Sequence, residues 1–151
     1  AALSISHFPQ PNPRPIMIEG KGLLSRSLTR MLTKRVLVVD DEADIRAIIQ
    51  GCLEDIAEWD VLTAASGEEG IQLAIAEQPD GILMDVSMPG MGGLEALRRL
   101  QENSRTQAIP VILLTAKVLF EEQETFATLA IAGVIVKPFD PMTLVSQVTK
   151  V

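Results

Sequence analysis

Five side chains in this sequence have the types and the spacing to act together. Asp40 and Asp41 follow the apolar run Val36–Val39, and Asp85 closes the run that begins at Gly81. Thr115 ends the run Ile109–Leu114, and Lys137 follows Gly133–Val136. Carboxylates crowded into one place repel, and some of their pKa values rise unless a cation intervenes. A hard dication answers that need: Mg²⁺ takes carboxylate oxygens, keeps several waters and bridges to phosphate oxygens. A carboxylate such as that of Asp85 can then act as a nucleophile and form an aspartyl phosphate. The Thr115 hydroxyl can donate a hydrogen bond to a phosphoryl group, and Lys137 can set a mobile positive charge against it. Positioning and charge neutralisation are most of what phosphoryl transfer asks of a protein.

Taken singly, each residue has an ordinary explanation. Asp40-Asp41 could be a strand end with a helix cap, and Asp85 a turn residue before a Pro-Gly loop. Thr115 could cap a helix, and Lys137 could be a solvated loop lysine. What outweighs these readings is that all five stand at the ends of successive apolar runs.

For the five to meet, those runs must be strands that end side by side. Val36–Val39, Trp59–Ala65, Gly81–Val86, Ile109–Leu114 and Gly133–Val136 have the length and composition of buried parallel strands. Between them lie helical patterns. Ile45, Ile48, Ile49, Cys52, Leu53 and Ile56 recur at helical spacing and form one apolar stripe. Ser66 with Glu69 is a capping box for a helix that reaches Glu77 and is closed by Pro79. Leu94, Leu97 and Leu100 mark the next helix, followed by one over roughly 120–130 and a last one over Pro141–Val151. Strand–helix repeated five times predicts an α/β fold: a five-stranded, doubly wound parallel sheet in a flavodoxin-like (βα)5 three-layer sandwich. In such sheets ligands bind beyond the carboxyl ends of the strands, at the switch in strand order.

The composition agrees with this architecture. The chain is 47% hydrophobic but only 3% aromatic, so its core must be aliphatic. Cys52 is the single cysteine, which excludes an internal disulfide and reads as a small apolar residue on a helix face. His7 is the single histidine and lies outside every motif, which argues against histidine-dependent catalysis within the chain. No apolar run is long enough to cross a membrane. Residues 1–35 hold six basic side chains against Glu19 alone, while the whole chain has a net charge of −7. The acidic remainder repels nucleic acid. Residues 1–33, with alternating Pro9, Pro11, Pro13 and Pro15, read as a poorly ordered N-terminal extension, with at most a short helix over Leu23–Leu32. Met31 reads as a natural start, so the upstream segment is expected to be dispensable for stability.

From Lys34 to Val151 the sequence resembles the receiver domain of bacterial two-component response regulators, of the chemotaxis-receiver kind. The resemblance rests on Val36-Leu-Val-Val-Asp40-Asp41-Glu42, on Asp85-Val-Ser-Met-Pro-Gly-Met-Gly-Gly93, on Leu114-Thr115-Ala116 and on Lys137-Pro138-Phe139. It implies that Asp85 is the phosphoacceptor, that Asp41 holds Mg²⁺ directly and Asp40 through water, and that the Ser87 carbonyl completes the metal site. Thr115 and Lys137 would contact the phosphoryl group, and the Lys137–Pro138 bond would be cis. The donor would be a phosphohistidine on a sensor kinase or phosphotransfer protein. The output would be a switched contact with a downstream protein, in the cytoplasm, with no membrane or direct nucleic-acid binding by this domain. The chain would catalyse only its own phosphorylation and dephosphorylation.

Rival readings fail on particular residues. A flavin-mononucleotide protein needs a phosphate-cradling loop after the first strand, and Asp40-Asp41-Glu42 would repel a phosphate. A haloacid-dehalogenase-like phosphatase places a second acid two residues after its nucleophile, where this chain has Ser87. An interaction module that has lost phosphorylation would not need the intact acids, Thr115 and Lys137.

Two positions depart from the family pattern. Val134 stands where the family often has a switching Tyr or Phe, and Ala130-Ile131 replaces a usual Gly-Ala pair. A short β-branched side chain cannot swing as a ring does. The largest phosphorylation-dependent changes are therefore expected in the loops after Asp85 and Thr115. Hydrogen exchange with and without beryllofluoride tests this. Changes confined to Gly133–Val136, with residues 116–121 silent, would overturn it.

Overall fold

The structure is a computed structural model that describes residues 8–9, 34–116 and 131–149. Five strands, β1 (Arg35–Val39), β2 (Asp60–Ala64), β3 (Gly81–Asp85), β4 (Val111–Thr115) and β5 (Gly133–Val136), form one parallel sheet in the order β2-β1-β3-β4-β5. The described helices are α1 (Ala43–Asp55), α2 (Gly67–Glu77), α3 (Gly93–Glu102) and α4 (Pro141–Thr149). The expected helices over 120–130 and Leu23–Leu32 lie outside the described residues. The order reverses between β1 and β3, so the switch point falls where Asp40 and Asp85 leave their strands.

Alternation along the strands divides the core into two layers. Val36, Val38, Leu83, Ile112, Leu114 and Ile135 face one side and pack with Ile49 and Leu53 of α1 and Leu144, Val145 and Val148 of α4. Leu37, Val39, Ile82, Met84 and Leu113 face the other and pack with Ala74 of α2 and Ala96, Leu97 and Leu100 of α3. Both sheet faces are covered, which is why β1, β3 and β4 read as unbroken apolar runs. Close approach needs small residues: a β-carbon on Gly70 of α2 would come 2.8 Å from a methyl of Val39.

The α1 stripe is narrower than its periodicity suggests. Ile49 and Leu53 are buried, and Ile45 and Cys52 pack partly against the same layer. Ile48 and Ile56, however, are 41% and 49% exposed. Ile48 lies one step around the helix from Ile49, and Ile56 is the C-cap beyond the last turn. The strand limits shift by one or two residues from expectation: Trp59 precedes β2, Val86 follows β3 and Ile109 precedes β4.

Phe8 departs from the expectation of an unpacked N-terminal extension, for it is 2% exposed and belongs to the α1–α4 core layer. A single aromatic residue among prolines gives no periodic signal, so nothing in the pattern marks it for burial. Apart from Phe8 and Pro9, residues 1–33 lie outside the described residues.

The expected capping box forms with its return bond moved one residue upstream of the N-cap Ser66. Glu69 N–H donates to Ser66 Oγ at 3.2 Å, and Ala65 N–H donates to Glu69 Oε2 at 3.0 Å. Ser66→Ala should therefore destabilise the protein by about 1 kcal/mol. Urea melts check this, with an unchanged m-value expected; no change in midpoint would show that the cap contributes nothing.

Candidate functional site

The parallel ladder continues one bond past the strands, and these extra bonds hold the chain beside the polar residues. Asp40 N–H donates to Ala64 O at 3.1 Å, Val86 N–H to Leu114 O at 2.9 Å and Lys137 N–H to Thr115 O at 2.7 Å. In register, Val39 pairs with Met84, Asp85 with Leu114, and Thr115 with Val136. Asp40 and Asp85 thus stand side by side, with Thr115 and Lys137 each a step further along their strands.

The side chains of Asp40, Asp85 and Lys137 converge. Lys137 Nζ lies 2.7 Å from Asp40 Oδ2 and 3.3 Å from Asp85 Oδ1. Asp40 is fully buried and Asp85 nearly so, while Asp41 is exposed at the pocket rim. One carboxylate oxygen from each of Asp40, Asp41 and Asp85 lies within 4.8 Å of the other two. Thr115 is buried at the adjoining strand end. Ser87 is exposed, and its N–H donates to Asp85 Oδ1 at 3.3 Å. The Lys137–Pro138 peptide is cis, as the family resemblance implied. Cys52 is half-buried on α1, and burial raises its thiol pKa, with Asp55 and Asp140 adding to the effect.

The charges are unequal: three carboxylates face one ammonium. Burial pushes the Asp85 carboxyl up to about 6 and Asp40 pushes the same way, while Lys137 and the Ser87 N–H oppose the rise. For Lys137, burial favours the neutral amine, but the hydrogen bond and charge of Asp40, with Asp85 behind them, outweigh it and raise its pKa. An all-oxygen, carboxylate-rich donor set with surplus negative charge fits a hard dication such as Mg²⁺.

Two residues that shape the site carry little signal in the sequence. Arg46 Nη1 donates to the Asp40 carbonyl at 2.7 Å, bracing the β1–α1 loop from the first turn of α1. The same loop is tied by Glu42 N–H to Asp40 Oδ1 at 2.9 Å. Gly93, at the start of α3, lies so close to β3 that a β-carbon there would collide with the Asp85 carbonyl oxygen and come 2.8 Å from Val86 Cα. The Gly92-Gly93 pair after Met88-Pro89 is the available hint for Gly93; for Arg46 there is only its place in the first turn of the helix that follows Asp40.

A doubly wound parallel sheet with an acidic, lysine-bridged pocket at its switch point defines a class of α/β domains that take their ligand at the strand ends. Comparison with known proteins names the family. Residues 36–149 match the response regulator receiver domain, and the chain belongs to that family. It is a phosphoacceptor receiver of two-component signal transduction. It is 38% identical over 123 residues to the phosphate regulon transcriptional regulatory protein PhoB of Pseudomonas aeruginosa, covering 80% of this chain and 52% of that protein. It is 35% identical over 117 residues to the protein PilH of the same organism, covering 78% of this chain and 96% of PilH. The chain therefore spans about half of PhoB and nearly all of PilH. The structure of Vibrio cholerae chemotaxis protein CheY4 superposes with a TM-score of 0.74 at 34% identity, covering 79% of this chain and 98% of that one. Among the described residues no helix is long and apolar enough to cross a membrane.

The raised Asp85 carboxyl gives a pH signature in metal-free protein. Its pKa is about 6 when folded against 3.8 for an unperturbed group, so between those values the folded state binds a proton that the unfolded chain has released. Its contribution to stability is full below about pH 4 and is lost as pH rises through about 6. Asp85→Asn should gain about 1–3 kcal/mol over the wild type at about pH 8, and the gain should vanish below about pH 4. Urea melts in chelator across that range check it; equal stabilities at pH 8 would mean the pocket is not charge-strained.

Proposed function

We propose that Asp85 is the phosphoacceptor of this receiver and that Asp40, Asp41, Thr115 and Lys137 assist the transfer. The contact of one half-buried ammonium with both Asp40 and Asp85 carries the reading. It places a mobile positive charge beside the carboxylate that takes the group. A carboxylate oxygen of Asp85 attacks the phosphorus of a phosphohistidine on a sensor kinase or phosphotransfer protein. The new O–P bond forms as the P–N bond breaks, and the ring, already protonated on its other nitrogen, leaves as neutral imidazole. Lys137 turns toward the phosphoryl oxygens, and the Thr115 hydroxyl donates to one of them. Bound Mg²⁺ would neutralise charge between the acids and the phosphoryl oxygens. Asp41 and Asp85 would hold it directly, Asp40 through water, and Ser87 through its carbonyl. Hydrolysis of the aspartyl phosphate resets the switch, so the domain catalyses only its own modification.

An apolar groove lined by Ile45, Ile48, Ala116, Pro138 and Phe139 borders Lys137. The donor's phosphohistidine must reach the same strand ends, so this groove is the surface it would rest on. The receiver spans 34–151, with 1–33 as an extension, and acts in the cytoplasm on a downstream protein. The names of the relatives suggest transcriptional control as one output, exerted through a partner or further domain, since this acidic domain repels nucleic acid.

Incubation with acetyl phosphate and Mg²⁺, followed by intact-mass spectrometry, tests the assignment. One phosphoryl group is expected on the wild type, none on Asp85→Asn, and little on the wild type in chelator. A phosphorylated Asp85→Asn protein would move the acceptor elsewhere. Mg²⁺ at a hundredfold excess over its dissociation constant should also stabilise the fold by roughly 2.7 kcal/mol. An unchanged melting temperature up to tens of millimolar would exclude the metal site.

A further inference from the structure

The receiver family match begins at residue 36, yet the core of this protein takes in a residue far upstream of it. The Phe8 ring lies 5.9 Å from the Trp59 ring, with their planes at 57°. That tilted arrangement is one the ring quadrupoles favour. On another side Phe8 lies against Gly81, the first residue of β3. A β-carbon added at Gly81 would come 2.8 and 2.9 Å from two Phe8 ring atoms and 3.1 Å from Pro9 Cδ. Gly81 is not among the positive-φ glycines, so its missing side chain serves the space and not the turn. Trp59 is itself 2% exposed and joins the same core layer as Val36 and Val61. The neighbouring rim is closed by Arg35, whose N–H donates to Asp80 Oδ2 at 2.9 Å and whose guanidinium pairs with Asp60 and Glu77. Trp59 precedes β2 and Gly81 opens β3, so this socket stands at the amino-terminal end of the sheet, opposite the acid pocket.

We propose that Phe8–Pro9 is a strap that docks in cis into an aromatic socket built by Trp59 and Gly81. It closes the amino-terminal end of the sheet and makes this segment a working part of the receiver fold. The occupant is the chain's own Phe8, seated at 2% exposure with Pro9 packed over the same glycine. The two sides of the socket depend on each other. A side chain at residue 81 would fill the seat, and without a ring at residue 8 the Trp59 indole would lose its cover.

A double-mutant cycle on the full chain tests this, read by melting temperature and by the emission of Trp59, the single tryptophan. Phe8→Ala should lower the melting temperature by on the order of 10 °C. It should also shift Trp59 emission to the red and open the indole to acrylamide. Gly81→Ala should do the same in milder form by displacing the ring. In the Phe8→Ala background Gly81→Ala should cost much less, because its methyl then meets Pro9 Cδ, at 3.1 Å, and no ring. Phe8→Leu, an apolar plug without the ring, serves for the cycle if Phe8→Ala does not fold. Unchanged emission and melting in the Phe8 variants would overturn the strap, as would equal costs of Gly81→Ala in both backgrounds. A dimeric wild type that becomes monomeric on Phe8→Ala would show the arm crossing to a second copy and would overturn docking in cis.

Discussion

Lys137 reaching between two buried carboxylates is the contact on which the arrangement of this protein turns. Asp40 and Asp85 belong to neighbouring strands, and without a cation between them their burial would be costly. The ammonium reduces that cost and does not remove it, because three acids face one base. The pocket is thus left short of positive charge. A divalent ion or a change in protonation answers the deficit. Much of the surrounding architecture can be understood as holding these groups close enough for it to matter. The ladder bonds past β1, β3 and β5 set the backbone, and Arg46 and Glu42 tie down the loop that carries Asp40. Gly93 lets α3 begin directly against the end of β3.

This packing leaves the centre of the sheet little freedom. β1, β3 and β4 are covered on both faces, and a close-packed interior shifts between discrete arrangements rather than yielding gradually. A change at Asp85 must therefore be taken up at the strand ends and in the loops beyond them. Val134 bears on this, since it is half-buried against the α2–α3 layer and has no ring to swing.

Most of the fold was legible in the sequence because parallel strands buried on both faces leave short apolar runs that end in polar residues. β5 agreed residue for residue, and the other strands shifted by one or two positions at an end, where hydrogen-bond geometry and not composition sets the limit. The convergence of Asp40, Asp85 and Lys137 was legible for the same reason: in a parallel sheet every strand end points the same way. What could not be read depended on long-range contact. Arg46 looked like any polar residue on a helix, and the exposure of Ile48 and Ile56 depends on how wide a stripe the sheet leaves for α1. Phe8 was hidden because its partners, Trp59 and Gly81, lie far along the chain and share no period with it.

The parallel topology has an electrostatic consequence. Each helix that follows a strand starts near that strand's carboxyl end, so α1, α2 and α3 all begin on the pocket side of the sheet. A helix start carries about half a positive charge, from N–H groups whose dipoles align along the axis. These partial charges belong to the backbone. They cannot be titrated away, and no side-chain substitution removes them. They favour an anion at the strand ends even though the protein as a whole, at net −7, repels one. A negatively charged domain is thereby able to accept a further dianion at the one end where its main chain is positive.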